Sequence, residues 1–157
     1  MVKYSEYTPR GGTVLMDKIL IELKGTQRFG REKDAVELTT FGTFRDDGRA
    51  YVIRYTEEQE PPEAPVKVTV KVKKDLSSVE MVRLGTSHSS LFIEKSKRNL
   101  CSYNTEFGNM LMGIYGKEIE ADFDKNGGLF SFEYDIDFNG SVSSQNRVDL
   151  SYKIKSN

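Results

Sequence analysis

Apolar residues recur at every second position along much of this chain. Val66, Val68, Val70 and Val72 alternate with Lys67, Thr69, Lys71 and Lys73. Val148, Leu150, Tyr152 and Ile154 are set against Asp149, Ser151, Lys153 and Lys155, and Phe130, Phe132, Tyr134, Ile136 and Phe138 against Ser131, Glu133, Asp135 and Asp137. Successive side chains of a strand point to opposite faces, so each segment predicts a strand with one dry and one wet face. Ile19 to Leu23, Val36 to Phe44, Tyr51 to Tyr55, Val79 to Leu84, Leu91 to Glu94, Leu100 to Phe107 and Met110 to Phe123 read the same way with more interruptions. Met110 and Ile114, with Phe107, also fit helical spacing, so a helical turn is left open between residues 110 and 123.

Turn formers separate these runs: Gly25, Asp46-Asp47-Gly48, Pro61-Pro62, Ser87-His88-Ser89, Lys97-Arg98-Asn99 and Asn126-Gly127-Gly128. The expected fold is all-β, a closed antiparallel up-and-down barrel of about eight to ten strands, because closure removes the unpaired edges that invite aggregation. Residues 1–13 are expected to form a flexible leader, and 14–157 a single barrel domain.

The chain has 157 residues, 37% hydrophobic and 30% charged, in the globular range. Its 23 basic and 24 acidic residues balance to a net charge of −1, without the basic excess of a nucleic-acid-binding surface. One cysteine excludes an intrachain disulfide, and no apolar run is long enough to be a signal core or a membrane span. These features predict a cytoplasmic protein with neither nucleic acid nor membrane as a partner.

The order of several short motifs resembles the YwiB-like bacterial proteins of unknown function, whose barrels are calycin- or lipocalin-like. They are Gln27, Glu37-Leu38-Thr39-Thr40-Phe41-Gly42, Tyr55-Thr56-Glu57, Arg83-Leu84-Gly85, Tyr103-Asn104-Thr105-Glu106-Phe107-Gly108, and Leu129 through Tyr134. The resemblance covers nearly the whole chain from about residue 14 and implies the barrel, with no agreed activity to carry over. The Gly-x-Trp signature of true lipocalins is missing, since the chain has no tryptophan.

Among chemical motifs, Asp122 to Glu133 satisfies the EF-hand loop pattern, with oxygen ligands at Asp122, Asp124, Asn126, Gly128 and Glu133. The alternation from Phe130 onward would carry Glu133 off along a strand, so a hairpin turned by Asn126-Gly127 is the expectation. Gly25 to Glu32 has glycine spacing like a phosphate loop without its Lys-Ser/Thr pair, and is expected to be a loop between strands. His88, the only histidine, sits in a serine-rich turn, with nothing to place Asp75 or Asp124 beside it as a triad would require. Cys101 reads as a small apolar residue of a strand, and no metal site or cofactor is expected. The lysines at 67, 71, 73 and 74 read as a solvated ladder, Asn139-Gly140-Ser141 as a turn, and Glu57, Glu58, Glu60 and Glu63 as an acidic loop.

The barrel interior remains. Arg83, Tyr103, Thr105 and Tyr134 are polar or amphipathic groups on apolar strands, and they are the candidate ligand contacts of a lumen. Arg83 has an ambiguous face, since Val79 and Met81 compete with Val82 and Leu84 for the inside. The leading reading is a non-enzymatic barrel binding a small, partly apolar molecule. The alternative is a filled barrel acting as a protein-interaction or oligomerisation module, and a third reading is an enzyme using Arg83, Tyr103 and Glu133. A cavity above roughly 300 Å³ with Arg83 or Tyr103 on its wall would favour the ligand. A packed lumen with an extended exposed apolar patch would favour the module.

Overall fold

The computed structural model describes residues 16–86 and 88–155, apart from the side chains of 103–105. Ten antiparallel strands form a single sheet: β1 (Met16–Phe29), β2 (Glu32–Asp46), β3 (Ala50–Glu57), β4 (Val66–Lys73), β5 (Ser78–Leu84), β6 (His88–Glu94), β7 (Arg98–Thr105), β8 (Gly108–Asp124), β9 (Gly127–Phe138) and β10 (Ser141–Ile154). The order is β6-β5-β4-β3-β2-β1-β10-β9-β8-β7, an up-and-down meander rolled into a nearly closed barrel. There is no helix among the described residues, and so none long and apolar enough to cross a membrane. The leader expected at residues 1–13 lies outside them.

The alternation turns inward as expected. Val68, Val70 and Val72 are fully buried, while Lys67, Lys71 and Lys73 face solvent. Ile19, Ile21, Phe44, Ile53, Val79, Ile93, Ile114, Phe130, Phe132 and Leu150 complete the core from the other strands. Burying each side chain of this size is worth about 1.5–3 kcal/mol, and collectively they hold the sheet rolled.

Closure is partial, and glycine makes it possible. The last strands to meet, β6 and β8, run parallel, and they touch through one bridge, Lys95 with Gly116. Ser96 N–H donates to the Gly116 carbonyl at 2.9 Å, and Gly116 N–H donates to the Lys97 carbonyl at 3.1 Å. Beyond this seam β6 and β7 diverge, so the sheet keeps two edges where full closure was expected. The segment where a helical turn was left open is strand β8. Its alternation changes phase at a register shift between Gly116 and Ile119, a bulge that obscures the period in the sequence.

The strands differ in length. β1, β2, β8, β9 and β10 have 12 to 17 residues and form a tall wall, whereas β3 to β7 have seven or eight. β2 pairs with β3 only over Gly42–Asp46, and residues 32–41 have β1 alone as partner. The loop expected from Gly25 to Glu32 is therefore the end of a long hairpin. Gly25, read as a turn, is paired with Val36 on one side and Val148 on the other, and the turn is Gly30-Arg31. The β9–β10 hairpin turns at Asn139-Gly140, both at positive φ, as its Asn-Gly signal predicts.

Candidate functional site

The floor of the barrel, where β2 meets β3 and β8 meets β9, is filled with rings. Phe44 lies 4.8 Å from Tyr152, 6.0 Å from Tyr51, 6.1 Å from Phe130 and 6.4 Å from Phe123, centroid to centroid. Tyr51 and Phe123 meet edge to face at 4.9 Å. Beneath them Lys74 pairs with Asp46 at 2.7 Å and stands 5.6 Å over the Tyr51 ring. Lys74 thus anchors the barrel floor and is not part of the free lysine ladder.

Toward the opposite end, the mouth, the lining changes character. Leu23, Leu38, Met81, Leu91, Cys101, Met112, Tyr134 and Ile136 are half-buried and rest on the core. Arg83 settles its ambiguous face here. It is opposite Val68 in the ladder and shares the inward parity of Val79 and Met81. Its guanidinium grips Glu57 with two bonds, Nη1 to Oε1 at 2.8 Å and Nη2 to Oε2 at 2.6 Å. A planar fork matched to a carboxylate leaves Arg83 little donor capacity for anything else. Glu57 is therefore a strand-end residue of the mouth and not part of the solvated acidic loop. The residue pattern could have shown this, because Ile53, Tyr55 and Glu57 keep one parity along β3.

Tyr55 stands next to this pair and is 5% exposed. Burial pushes its hydroxyl up to about 12, the Glu57 carboxylate adds to the rise, and Arg83 opposes it. Burial also raises the Tyr134 hydroxyl and the Cys101 thiol. For Tyr55 the proton is held more tightly in the folded state than in the unfolded chain. Its contribution to stability is thus complete below pH 10 and is lost as pH rises toward 12. Two units correspond to about 3 kcal/mol. Urea titrations at pH 9 and pH 11.5 should show a drop in stability that is smaller in the Tyr55→Phe variant. An equal drop in both proteins would remove Tyr55 as its source.

The four candidate residues do not form one described constellation. Arg83 and Tyr134 both face inward, on β5 and β9. The side chains of Tyr103 and Thr105 lie outside the described residues. Glu133 takes the outward parity of β9, where it pairs with Arg147. It is therefore on the opposite face of the sheet from Arg83, which separates the residues of the enzymatic reading. His88 is exposed at the mouth end of β6, while Asp75, in a turn, and Asp124, the last residue of β8, are at the floor end. Asp75 is occupied with Ser77, its carboxylate accepting from the hydroxyl at 2.6 Å.

The calcium-like loop is a hairpin. Asp124 pairs with Gly127, so the turn is Lys125-Asn126, one residue earlier than expected. Asn126 N–H donates to Asp124 Oδ1 at 2.7 Å. Gly127 already belongs to β9, pressed so closely on β10 that an added Cβ would meet the backbone of Tyr152 and Lys153. No group of three or more acidic, histidine or cysteine side chains among the described residues is arranged to hold a metal.

Concavities occur mainly outside the lumen. One of about 440 Å³ runs over the outer side of the floor, between Leu20, Glu22, Asp122, Asn126 and Lys153. The concavity that includes Arg83 is about 150 Å³ and is at the rim, bounded by Gln59, Glu63, Val66 and Thr86.

A family model described as a domain of unknown function, DUF1934, matches residues 21–150. The chain belongs to the DUF1934 family. No curated protein matches it. Its fold is similar to that of the ywiB protein from Bacillus subtilis in a crystal structure, with a TM-score of 0.74, 20% identity, and coverage of 90% of this chain and 94% of that one. The match supports the YwiB-like resemblance read from the motifs, and at that identity it speaks for the fold. The family description assigns no activity.

Proposed function

We propose that this DUF1934 barrel is a non-enzymatic protein-interaction or oligomerisation module, working through the upper part of its tall wall. One observation carries the reading: a group of exposed large apolar side chains is found there. Phe29, Val36, Phe107, Met110, Leu111 and Val142 lie on the mouth-end stretches of β1, β2, β8 and β10 or in the β7–β8 turn, Phe29, Val36 and Met110 on the inner face and Leu111 on the outer, with Val36 67% and Phe107 93% exposed. Scattered exposed apolar residues are ordinary, but a grouping on one part of a monomer marks a contact surface. On the inner face, Phe29, Val36 and Met110 keep the inward parity of the half-buried mouth lining beyond the packed core.

A lumen ligand has one feature in its favour: Arg83, Glu57 and Tyr55 are polar groups converging in an apolar mouth, as small-molecule sites require. Against it, the rings fill the floor of the barrel, the Arg83 fork is spent on Glu57, and 150 Å³ is below the roughly 300 Å³ of ordinary ligand sites.

Native mass spectrometry of the protein purified from its own host separates the readings. The module predicts a bound polypeptide, a second copy included, and no stoichiometric small molecule. The combined Phe29→Ser, Val36→Ser, Met110→Ser variant, which alters only exposed side chains, should lose a foreign partner seated on this inner face while keeping its melting temperature. A small molecule retained one to one by the wild type would overturn the reading in favour of the lumen.

A further inference from the structure

Strand β7 is one of the two edges left by incomplete closure. Its ladder partner is β8, from Arg98 opposite Tyr115 to Thr105 opposite Gly108, and its other side has no strand partner among the described residues. Edge strands are usually protected by lysine, proline, inward charge or a covering element, because unpaired N–H and C=O groups invite another strand. Among the described residues β7 has none of these protections. No charged residue and no proline occur from Asn99 to Thr105. The one charge on the strand, Arg98, is already held by Asp137 through two hydrogen bonds of 2.7 and 2.8 Å.

The outward face beside this edge exposes two leucines. Leu100 and Leu111 are each 59% exposed, and Leu111 is opposite Ser102 in the ladder. The other edge, β6, differs: its exposed Phe92 has Glu80 directly across the ladder, and the strand ends at Glu94.

We propose that β7 pairs antiparallel with β7 of a second copy of this chain, continuing the sheet across a two-fold axis. This inference rests on the interaction-module reading and names its partner. Self-pairing fits for a reason of parity. In a two-fold antiparallel pair, outward residues meet outward residues, so Leu100 and Ser102 of each copy share one face and Leu111 flanks both. No like charges are brought opposite one another along the uncharged stretch, and a net charge of −1 puts little long-range repulsion between copies. The pairing satisfies the backbone groups of both edges and covers four leucines at once.

Sedimentation equilibrium of the full chain at tens of micromolar tests the proposal. The wild type should have twice the 17.9 kDa chain mass. The Leu100→Lys, Ser102→Lys double variant sets four lysines on one small face and should sediment as a single chain, with an unchanged circular dichroism spectrum. A wild-type monomer, or a variant that remains dimeric, would overturn the edge pairing. Should the variant fold poorly, hydrogen exchange of the wild type decides: β7 amides should become slower with rising protein concentration and β6 amides should not. A monomer that still holds a foreign polypeptide through Val36 and Met110 would end this inference and leave the interaction-module reading standing.

Discussion

Replacing Phe44 with alanine is expected to destabilise the fold by about 3–5 kcal/mol, the range for deleting a large buried aromatic. Phe44 has no exposed surface and stands among four other rings at the barrel floor. Those rings come from β3, β8, β9 and β10, so the side chain joins strands far apart in sequence. They are fixed by their own strands and cannot collapse into the space, so the lost burial is joined by a cavity and by broken ring contacts. Urea unfolding followed by circular dichroism gives the number. A loss under about 1 kcal/mol would mean that the floor repacks freely and is not a rigid plug. That outcome would also return the lumen to consideration as a ligand site, so this measurement bears on function as well as stability.

The second large effect concerns the seam. Gly116 donates one hydrogen bond and accepts another from the β6–β7 link, and its backbone lies almost against Glu94. A Cβ built there is 2.5 Å from the Glu94 carbonyl carbon and nearer still to its oxygen, where real Cβ contacts stay above 3.0 Å. The obstacle is backbone, so no side-chain rotation relieves it. Gly116→Ala should therefore force β8 away from β6 and cost about 2–4 kcal/mol, combining overpacking with two weakened hydrogen bonds. Hydrogen exchange should show the Ser96 amide losing protection while the β1–β10 amides on the far wall keep theirs. Normal protection of Ser96 in the variant would show that the seam is not held at Gly116.

Several corrections share one origin. Positions four apart fall on the same side of both a strand and a helix, which is why Met110 and Ile114 left residues 110–123 open to two readings. The bulge after Gly116 then moved the inward set from Met112 and Ile114 to Ile119, Ala121 and Phe123. A change of phase within one strand looks, in sequence, like the absence of a period. The hairpin arm from Gly25 to Val36 was hidden differently: it rises beyond the packed core, so few of its residues needed to be apolar to belong to strands.

The site shows the same division. Arg83 could be suspected from sequence as a polar group among apolar neighbours, and its parity with Val79 was available. Its partner was not, because Glu57 is 26 positions away and meets it only after β3, β4 and β5 are placed side by side. The sequence by itself determined the element type, the inward and outward sets of the regular strands, and the family. Alternation is a local property, written in each strand by which side chains water rejects. Tertiary structure alone decided that the floor is plugged, that the seam closes on a glycine, that Arg83 is committed to Glu57, and that β7 is an edge of the sheet among the described residues. Each of these depends on the distance between residues that only the rolling of the sheet brings together.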